Sequence, residues 1–228
     1  MGNKPWSVAY DGANLWVTNR QDHTVTKIRA SDGTTQGTFP VGSWPTGIAF
    51  DGSSLWVVNS HGYSITKLRA SDGVILNIFA VGTTPLEVAC DGTNLWVTNL
   101  GDNTVSKLRA SDGATLGTFP VGNSPQGVAF DGTNVWIANY GGNTVTKLRA
   151  SDGFNLGTFA VGTAPVGVVF DGANIWVSNT GDGTVTKLRS SDGVVLGTFS
   201  VRVHPRGVAF DGSKIWVANA DSNSVSTL

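Results

Sequence analysis

The sequence predicts an all-β fold, a six-bladed β-propeller built from six repeats, and three observations support this prediction. Asp-Gly pairs recur every 40 residues without an insertion, and a Pro and a Trp recur at the same interval. No stretch of helical length shows the 3.6-residue apolar period of an amphipathic helix. The Asp-Gly pairs begin at Asp11, Asp51, Asp91, Asp131, Asp171 and Asp211.

Each repeat predicts a four-stranded antiparallel meander, and the fourth repeat illustrates the pattern. Short apolar runs rich in Val, Ile, Trp and Phe alternate with Asp-Gly and Ser-Asp-Gly turns. Gly and Asn accept the positive φ angles that tight hairpin turns require. The predicted strands are Gly127 to Phe130, Asn134 to Asn139, Thr144 to Ala150 and Leu156 to Val161.

Apolar residues on both faces of these strands favour a propeller, because propeller blades bury both faces against their neighbours. A solenoid would need capping units with a polar outer face, and neither end of the chain has one. We therefore expect one domain spanning residues 1–228. The sixth repeat stops at Leu228, so blade six should lack its outer strand. We expect it to close by packing face to face on blade one, and its exposed edge could allow self-association.

Composition excludes several classes of protein. The 15 Lys and Arg residues nearly balance the 16 Asp and Glu residues, which argues against partners such as nucleic acid or an anionic membrane. A hydrophobic share of 40% excludes intrinsic disorder, and one cysteine, Cys90, excludes an internal disulfide. No apolar run is long enough for a membrane span, and the first residues lack the apolar core of a signal peptide, so we expect neither; the sequence does not predict a compartment.

Most of the repeated residues are expected to be structural. The Trp in each second strand and the Phe residues of the first and fourth strands should form the core, and Cys90 should be a buried, inert thiol. The Asp side chains should cap turn backbones, and the Lys-Leu-Arg triplets should be solvated or paired at the surface. The core aromatics are Trp16, Trp56, Trp96, Trp136, Trp176, Trp216, Phe39, Phe79, Phe119, Phe159, Phe199, Phe50, Phe130, Phe170 and Phe210.

Comparison of the six repeats with one another locates a candidate site. The turns between strands one and two and between strands three and four hardly vary, whereas the loops at the opposite ends of the strands vary freely. All the variable loops therefore lie on one face of the predicted propeller. Near its axis these loops form a mouth lined by polar and aromatic residues, and such residues at a surface favour ligand binding. The candidate ligand-binding residues are Trp6, Trp44, Thr46, Leu86, Glu87, Gln126, His204, Arg206, His61, Tyr63 and Tyr140.

The repeated motif also resembles a known class of propellers. Pro-x-Gly-Val-Ala-Phe-Asp-Gly-x-Asn-x-Trp-Val-x-Asn, followed by Asn-Thr-Val-Thr-Lys-Leu and Thr-Phe-x-Val-Gly, resembles the YVTN-type repeat. It is also similar to NHL and virginiamycin B lyase-like repeats. The resemblance implies a propeller with its site on the variable face. Its lyase members imply a His, a Glu and a bound magnesium at the axis, for which His204 and Glu87 would be the candidates.

The favoured prediction is a non-catalytic binding or interaction module, with no cofactor, no metal and no catalytic residue. Its partner would be a small molecule, a glycan or a peptide at the central mouth. No Ser-His-Asp set, nucleophilic cysteine or phosphate-binding glycine loop is evident. The alternative is a metal-dependent lyase similar to virginiamycin B lyase.

Overall fold

The computed structural model describes residues 1–228 and confirms the predicted fold class, an all-β six-bladed propeller. Five sheets have four antiparallel strands and the last has three. The chain divides into two compact units, Met1–Thr118 (unit one) and Phe119–Leu228 (unit two). The single domain stays a prediction.

Unit one contains blades one and two and most of blade three, whose last strand crosses the boundary between the units. Within each sheet the strands follow chain order, as expected for a meander. The strands are β1 (Pro5–Tyr10), β2 (Asn14–Asn19), β3 (Thr24–Arg29), β4 (Thr35–Pro40), β5 (Pro45–Phe50), β6 (Ser54–Asn59), β7 (Ser64–Arg69), β8 (Ile75–Ala80), β9 (Pro85–Cys90), β10 (Asn94–Asn99), β11 (Thr104–Arg109) and β12 (Thr115–Pro120).

Unit two contains blades four, five and six. A three-residue 3-10 turn, Ala220–Ser222, is the one helical segment, and no helix could cross a membrane. The strands are β13 (Pro125–Phe130), β14 (Asn134–Asn139), β15 (Thr144–Arg149), β16 (Asn155–Ala160), β17 (Pro165–Phe170), β18 (Asn174–Asn179), β19 (Thr184–Arg189), β20 (Val195–Ser200), β21 (Pro205–Phe210), β22 (Ile215–Asn219) and β23 (Ser224–Thr227).

The strands of blade four lie within two residues of the predicted bounds. In the turn between β13 and β14, the backbone N–H of Thr133 and that of Asn134 each donate to the carboxylate of Asp131. The predicted capping role of this Asp is confirmed. Gly132 has a φ of +93°, in the region that glycine adopts without strain. The register places Trp136 opposite Ala129 on one neighbouring strand and Lys147 on the other.

The core forms between successive blades. Trp16 and Val25 of blade one pack against Ile48, Leu55 and Val57 of blade two. The same arrangement recurs from blade two to blade three, from blade four to blade five and from blade five to blade six. The Trp of blades one to five are buried, as predicted.

The prediction that the repeated Trp and Phe residues are buried in blade six, as in the other blades, is wrong. Trp216 is 43% exposed, and Phe210 is also exposed. In blades one, two, four and five the centre of the Trp ring lies 5.5–5.6 Å from the centre of the Phe ring of the fourth strand, and blade six has no fourth strand. Phe199 of blade five is exposed too, because the Ser-Asp-Gly turn that covers Phe159 has no counterpart in blade six.

The interpretation of the Lys-Leu-Arg triplets is confirmed for Arg and wrong for Lys. Each Arg pairs with the Asp three residues later, as Arg29 does with Asp32 at 2.8 Å. Lys27, in contrast, is buried, and its Nζ donates to the carbonyl oxygens of Ala70 and Ser71 in the next blade at 2.7 and 3.1 Å. The Lys ammonium also lies 4.9 Å from the centre of the Trp16 ring, its partner in register.

Cys90 is partly buried at the end of β9. Burial raises the pKa of its thiol, which disfavours the reactive thiolate. This setting agrees with the prediction of an inert cysteine.

Candidate functional site

The predicted ligand-binding residues lie in both units. A single mouth formed by all of these residues stays a prediction. Trp6, Trp44, Thr46, Leu86, Glu87, His61 and Tyr63 are in unit one, and Gln126, Tyr140, His204 and Arg206 are in unit two.

Three of the predicted residues in unit one meet in a stack around Arg20. The Arg20 guanidinium carbon lies 4.4 Å from the centre of the Trp6 ring and 4.6 Å from that of Trp44. Trp44 is also stacked on His61, with ring centres 4.3 Å apart and an 18° angle between the planes. We call Trp6, Arg20, Trp44 and His61 the aromatic stack.

Backbone contacts position the loops that carry the stack. Trp44 has a φ of +57°, immediately before β5. Its N–H donates to Nδ1 of His23 at 2.9 Å, and its carbonyl accepts from the N–H of Ser60 at 3.0 Å. The N–H of Arg20 donates to the carbonyl of Lys4 at 3.1 Å, which ties the Arg20 loop to the chain just before Trp6. The stack is therefore built on restrained loops.

The stack combines a positive charge with exposed ring faces. Burial lowers the pKa of Arg20, although an Arg guanidinium keeps its proton at neutral pH. Its Nε is buried and has no hydrogen-bond partner. Trp6 is 44% exposed and His61 is also exposed, so both ends of the stack face solvent. Cation–π contacts of this kind contribute about 0.5–2 kcal/mol each.

Glu87 is a carboxylic acid in a confined setting. Burial raises its pKa to about 7, and a hydrogen bond from the backbone of Val88 acts in the opposite direction. A Cβ at Gly47 would lie 2.7 Å from Oε2 of Glu87, so the glycine allows the carboxyl group to approach the neighbouring strand. The confined setting therefore favours the neutral acid form of Glu87 more than an exposed setting would.

The remaining predicted residues of unit one differ in exposure. Tyr63 is exposed and Leu86 is partly buried. Thr46 is completely buried: its carbonyl accepts from Oγ1 of Thr18 at 2.9 Å, and its own hydroxyl has no partner. Thr46 thus has no surface in contact with solvent.

In unit two, His204 forms a pair with an acidic residue. Its Nδ1 contacts the carboxylate of Asp221, which lies in the 3-10 turn after β22. Both side chains are exposed, as are Tyr140 and Arg206. A carboxylate on Nδ1 orients the imidazole and leaves Nε2 available.

Comparison with solved structures gives a clear result for the fold. A catalytically inactive variant of virginiamycin B lyase from Staphylococcus aureus with quinupristin matches 100% of this chain and 80% of its own, with a TM-score of 0.85 and 20% identity. The chain has a β-propeller fold similar to that of virginiamycin B lyase. The selenomethionine-substituted virginiamycin B lyase from the same organism matches 98% of this chain and 80% of its own, with a TM-score of 0.84 and 20% identity.

Two further matches agree with this fold. A streptogramin B lyase structure matches 99% of this chain and 93% of its own, with a TM-score of 0.73 and 15% identity. A protein of unknown function from Desulfotomaculum acetoxidans matches 99% of this chain and 85% of its own, with a TM-score of 0.77 and 15% identity. No family model and no curated protein matches the chain. Identities of this size show the fold alone.

The resemblance to virginiamycin B lyase implied a bound magnesium, and the donor groups of this chain do not fit one. Magnesium prefers carboxylate and other oxygen ligands in octahedral geometry. No group of three or more His, Cys, Asp or Glu side chains is placed to hold a metal ion. His204 has one carboxylate beside it, that of Asp221, and the carboxyl group of Glu87 lies against the glycine backbone of Gly47.

Sequence reasoning missed two residues of these sites. Neither Arg20 nor Asp221 is among the ligand-binding residues that the sequence predicted. The only signal for Arg20 was that it is a cation in the loop between β2 and β3, which differs among the repeats. No comparable signal existed for Asp221, since its contact with His204 depends on the fold of the loop.

Proposed function

We propose that the protein is a non-catalytic binding module whose ligand binds at the aromatic stack. The ligand would be a small molecule, a glycan or a peptide that offers a flat ring. The observation that carries this proposal is the Trp6, Arg20, Trp44 and His61 stack with both ends exposed.

The stack suits ring recognition for two physical reasons. An exposed indole contributes a large apolar face at small entropic cost, and the apolar faces of sugars and aromatic rings pack on it. Arg20 adds a positive charge between the two indoles, which favours ligands with hydroxyl or anionic substituents beside the ring. A preformed stack also spares the ligand the cost of ordering the side chains.

The experiment is a screen of a glycan array and a library of aromatic acids, followed by calorimetric titration of each hit. Trp6→Ala and Trp44→Ala should each weaken binding about tenfold, the effect of removing about 1.4 kcal/mol of stacking. Phe154→Ala is the matched control, because Phe154 is an exposed aromatic on the turn before β16, away from the variable loops. Unchanged affinity in both Trp variants would refute the site.

A lyase activity is the second candidate, supported by the His204 and Asp221 pair. The similar lyase is catalytically inactive in the histidine-to-alanine variant that was solved with quinupristin. In the present chain a carboxylate orients His204 as general bases are usually oriented. Incubation of the protein with quinupristin, with and without magnesium, tests this candidate by mass spectrometry. Chemical change in quinupristin that His204→Ala abolishes would favour the lyase over the binding module.

A further inference from the structure

A histidine outside the aromatic stack fixes the backbone of one of its members. Nδ1 of His23 accepts the N–H of Trp44 at 2.9 Å, and the carbonyl of His23 accepts the N–H of Val41, also at 2.9 Å. His23 therefore joins the loop between β2 and β3 to the loop that leads into β5. Trp44 has a φ of +57°, a conformation that residues other than glycine rarely adopt, so its position depends on contacts such as this one.

Blade four makes the same contact with a side chain that does not titrate. Asn143 occupies the position of His23 in the fourth repeat, and its Oδ1 accepts the N–H of Ala164 at 2.9 Å. The φ angles agree closely, at +58° for His23 and +54° for Asn143, and at +57° for Trp44 and +54° for Ala164. The two loops thus have the same conformation, and in blade one the acceptor is an imidazole nitrogen.

An imidazole can fill this role in only one of its charge states. A ring nitrogen accepts a hydrogen bond only when it carries no proton, and both nitrogens carry one in the imidazolium form. The bond from Trp44 therefore requires a neutral His23 with its proton on Nε2. Histidine side chains change charge between about pH 5 and about pH 8, and His23 is exposed to solvent. Protonation would turn Nδ1 into a second donor that faces the N–H of Trp44.

We propose that His23 is a positioning residue of the aromatic stack and makes the stack sensitive to pH. Neutral His23 holds the Trp44 backbone so that the indole lies beside Arg20, with 4.6 Å between the guanidinium carbon and the ring centre. Protonated His23 releases the N–H of Trp44, and the indole moves away from Arg20. The carbonyl of Trp44 still accepts from the N–H of Ser60 at 3.0 Å, so one loop loosens and the blade stays folded.

As a control of ligand binding, this inference rests on the proposed function. The loop movement itself does not, because it is a property of the protein without ligand. A ligand that packs on Trp44 should bind more weakly in acid, since part of the protein then lacks the preformed stack.

Few other groups around His23 change charge in the same pH range. The backbone and side-chain N–H groups of Asn3 lower the pKa of the neighbouring Asp22, and the charge of His23 acts in the same direction, so Asp22 stays ionised. Residues 41–44 contain no titratable side chain. His61, stacked on Trp44, is the second histidine of these loops and has to be separated from His23 by a variant. The other titratable side chains of the neighbouring segments, all of types that titrate above pH 8, are Lys4, Arg20 and Tyr63.

NMR of the protein without ligand, between about pH 5 and about pH 8, tests the proposal with two readouts. The first is hydrogen exchange at the N–H of Trp44, corrected for the intrinsic effect of pH on exchange. Its protection should fall about three- to tenfold in acid, which is the effect of one hydrogen bond of ordinary strength. The second is the ring-current shift of the Arg20 δ protons. It should decrease over the same range without disappearing, because Trp6 also contacts Arg20.

Three variants separate positioning from a general effect of acid. His23→Asn introduces the acceptor of blade four and should keep Trp44 protected at every pH. His23→Ala removes the acceptor and should give low protection at every pH. His61→Phe keeps a flat ring beside Trp44 but cannot be protonated, and it should show the pH dependence of the wild type. Circular dichroism establishes that all three variants fold.

The contrary outcomes are specific to His23. Protection of Trp44 that does not change with pH in the wild type would overturn the proposal, and so would a pH dependence that persists in His23→Asn. A pH dependence that disappears in His61→Phe would also overturn it, because His61 would then be the responsible histidine. A stack that responds to pH through His23 but binds no ring in the screen would support the positioning role and refute the proposed function.

Discussion

At the scale of single residues, one hydrogen-bond pattern explains why Asp and Trp recur together. In blade two, the Asp51 carboxylate accepts from the backbone N–H groups of Ser53 and Ser54 and from Nε1 of Trp56 at 2.7 Å. The sequence predicted the backbone caps, because Asp side chains commonly bond two and three residues ahead in turns. It did not predict the indole donor, because that contact depends on how far the hairpin brings the second strand back toward its turn.

The turn aspartates should make stability depend on acid pH. Burial opposes ionisation of Asp51, but the hydrogen bonds from Trp56, Ser54 and Ser53 together outweigh it, so the pKa of Asp51 lies below its usual value of 3.8. Because the pKa is lower in the folded than in the unfolded state, the carboxylate stabilises the fold at pH values above the unfolded pKa. This stabilisation is lost as the pH falls through the pKa of the folded state. The same direction holds at Asp11, Asp91 and Asp171.

Urea unfolding between about pH 7 and about pH 3 measures this dependence. At pH values below about 4, the free energy of unfolding should decrease. Asp51→Asn should lower the free energy of unfolding at neutral pH by about 1–3 kcal/mol, and it should also reduce the dependence of that free energy on pH. A variant with the wild-type slope would show that other groups cause the acid sensitivity.

The repeated Trp should contribute more to the free energy of unfolding in blade four than in blade six. Trp136→Ala should lower the free energy of unfolding by about 3–5 kcal/mol, because Trp136 is fully buried. Trp216→Ala is the matched comparison, and it should cost clearly less because that indole is partly exposed. Equal losses in urea unfolding of the two variants would contradict the burial difference between blades four and six.

At the scale of strands and blades, the sequence predicted the strands closely and the contacts between blades less well. Strand bounds follow from local signals, the Asp-Gly turns and the alternation of apolar residues, and these agree within about two residues in blade four. The inter-blade role of Lys could not be read from the sequence, because its acceptors lie 43 and 44 residues further along the chain. Lys67, for example, donates to the carbonyls of Ala110 and Ser111 at 2.7 and 3.1 Å.

The Lys contact should contribute measurably to blade packing. Lys67→Met keeps the aliphatic stem over Trp56 but removes the donor, and it should cost about 1–3 kcal/mol by leaving two carbonyl groups without their partner. Lys187→Met is the control, since Lys187 lies over Trp176 but its side chain reaches no carbonyl of blade six. Thermal melting of the two variants should differ, and equal melting temperatures would contradict the role of the hydrogen bonds.

The three-stranded blade should be the least stable element. Strand β23 has a partner on one side only, although Leu228 exchanges both backbone hydrogen bonds with Ile215. Hydrogen exchange should be fastest at Ser222 to Leu228, because edge strands open most readily. A chain extended by Arg-Ala-Ser-Asp-Gly and a Thr-Phe-Pro-Val strand should melt at a higher temperature. Equal melting, with Val225 as protected as Val145, would show that the edge is already covered.

At the scale of the whole molecule, the repeat determined how much of the site could be predicted. Trp6 and Trp44 were identified because they do not belong to the repeated core, and both lie in the aromatic stack of unit one. Arg20 and Asp221 were not, because their roles depend on loop conformations that no repeat specifies. The residues that differ among the repeats therefore predicted where a candidate site lies. Which side chains contact one another there, and so which ligands the site suits, could be seen only in the structure.

The central claim is that the protein holds its ligand at the aromatic stack without transforming it. The most direct measurement is a crystal structure of the protein with the ligand found by the screen, together with mass spectrometry of the recovered ligand. We predict intact ligand with a ring against Trp6 and a polar group near Arg20. A ligand bound beside His204 and Asp221, or recovered in a chemically changed form, would contradict the claim.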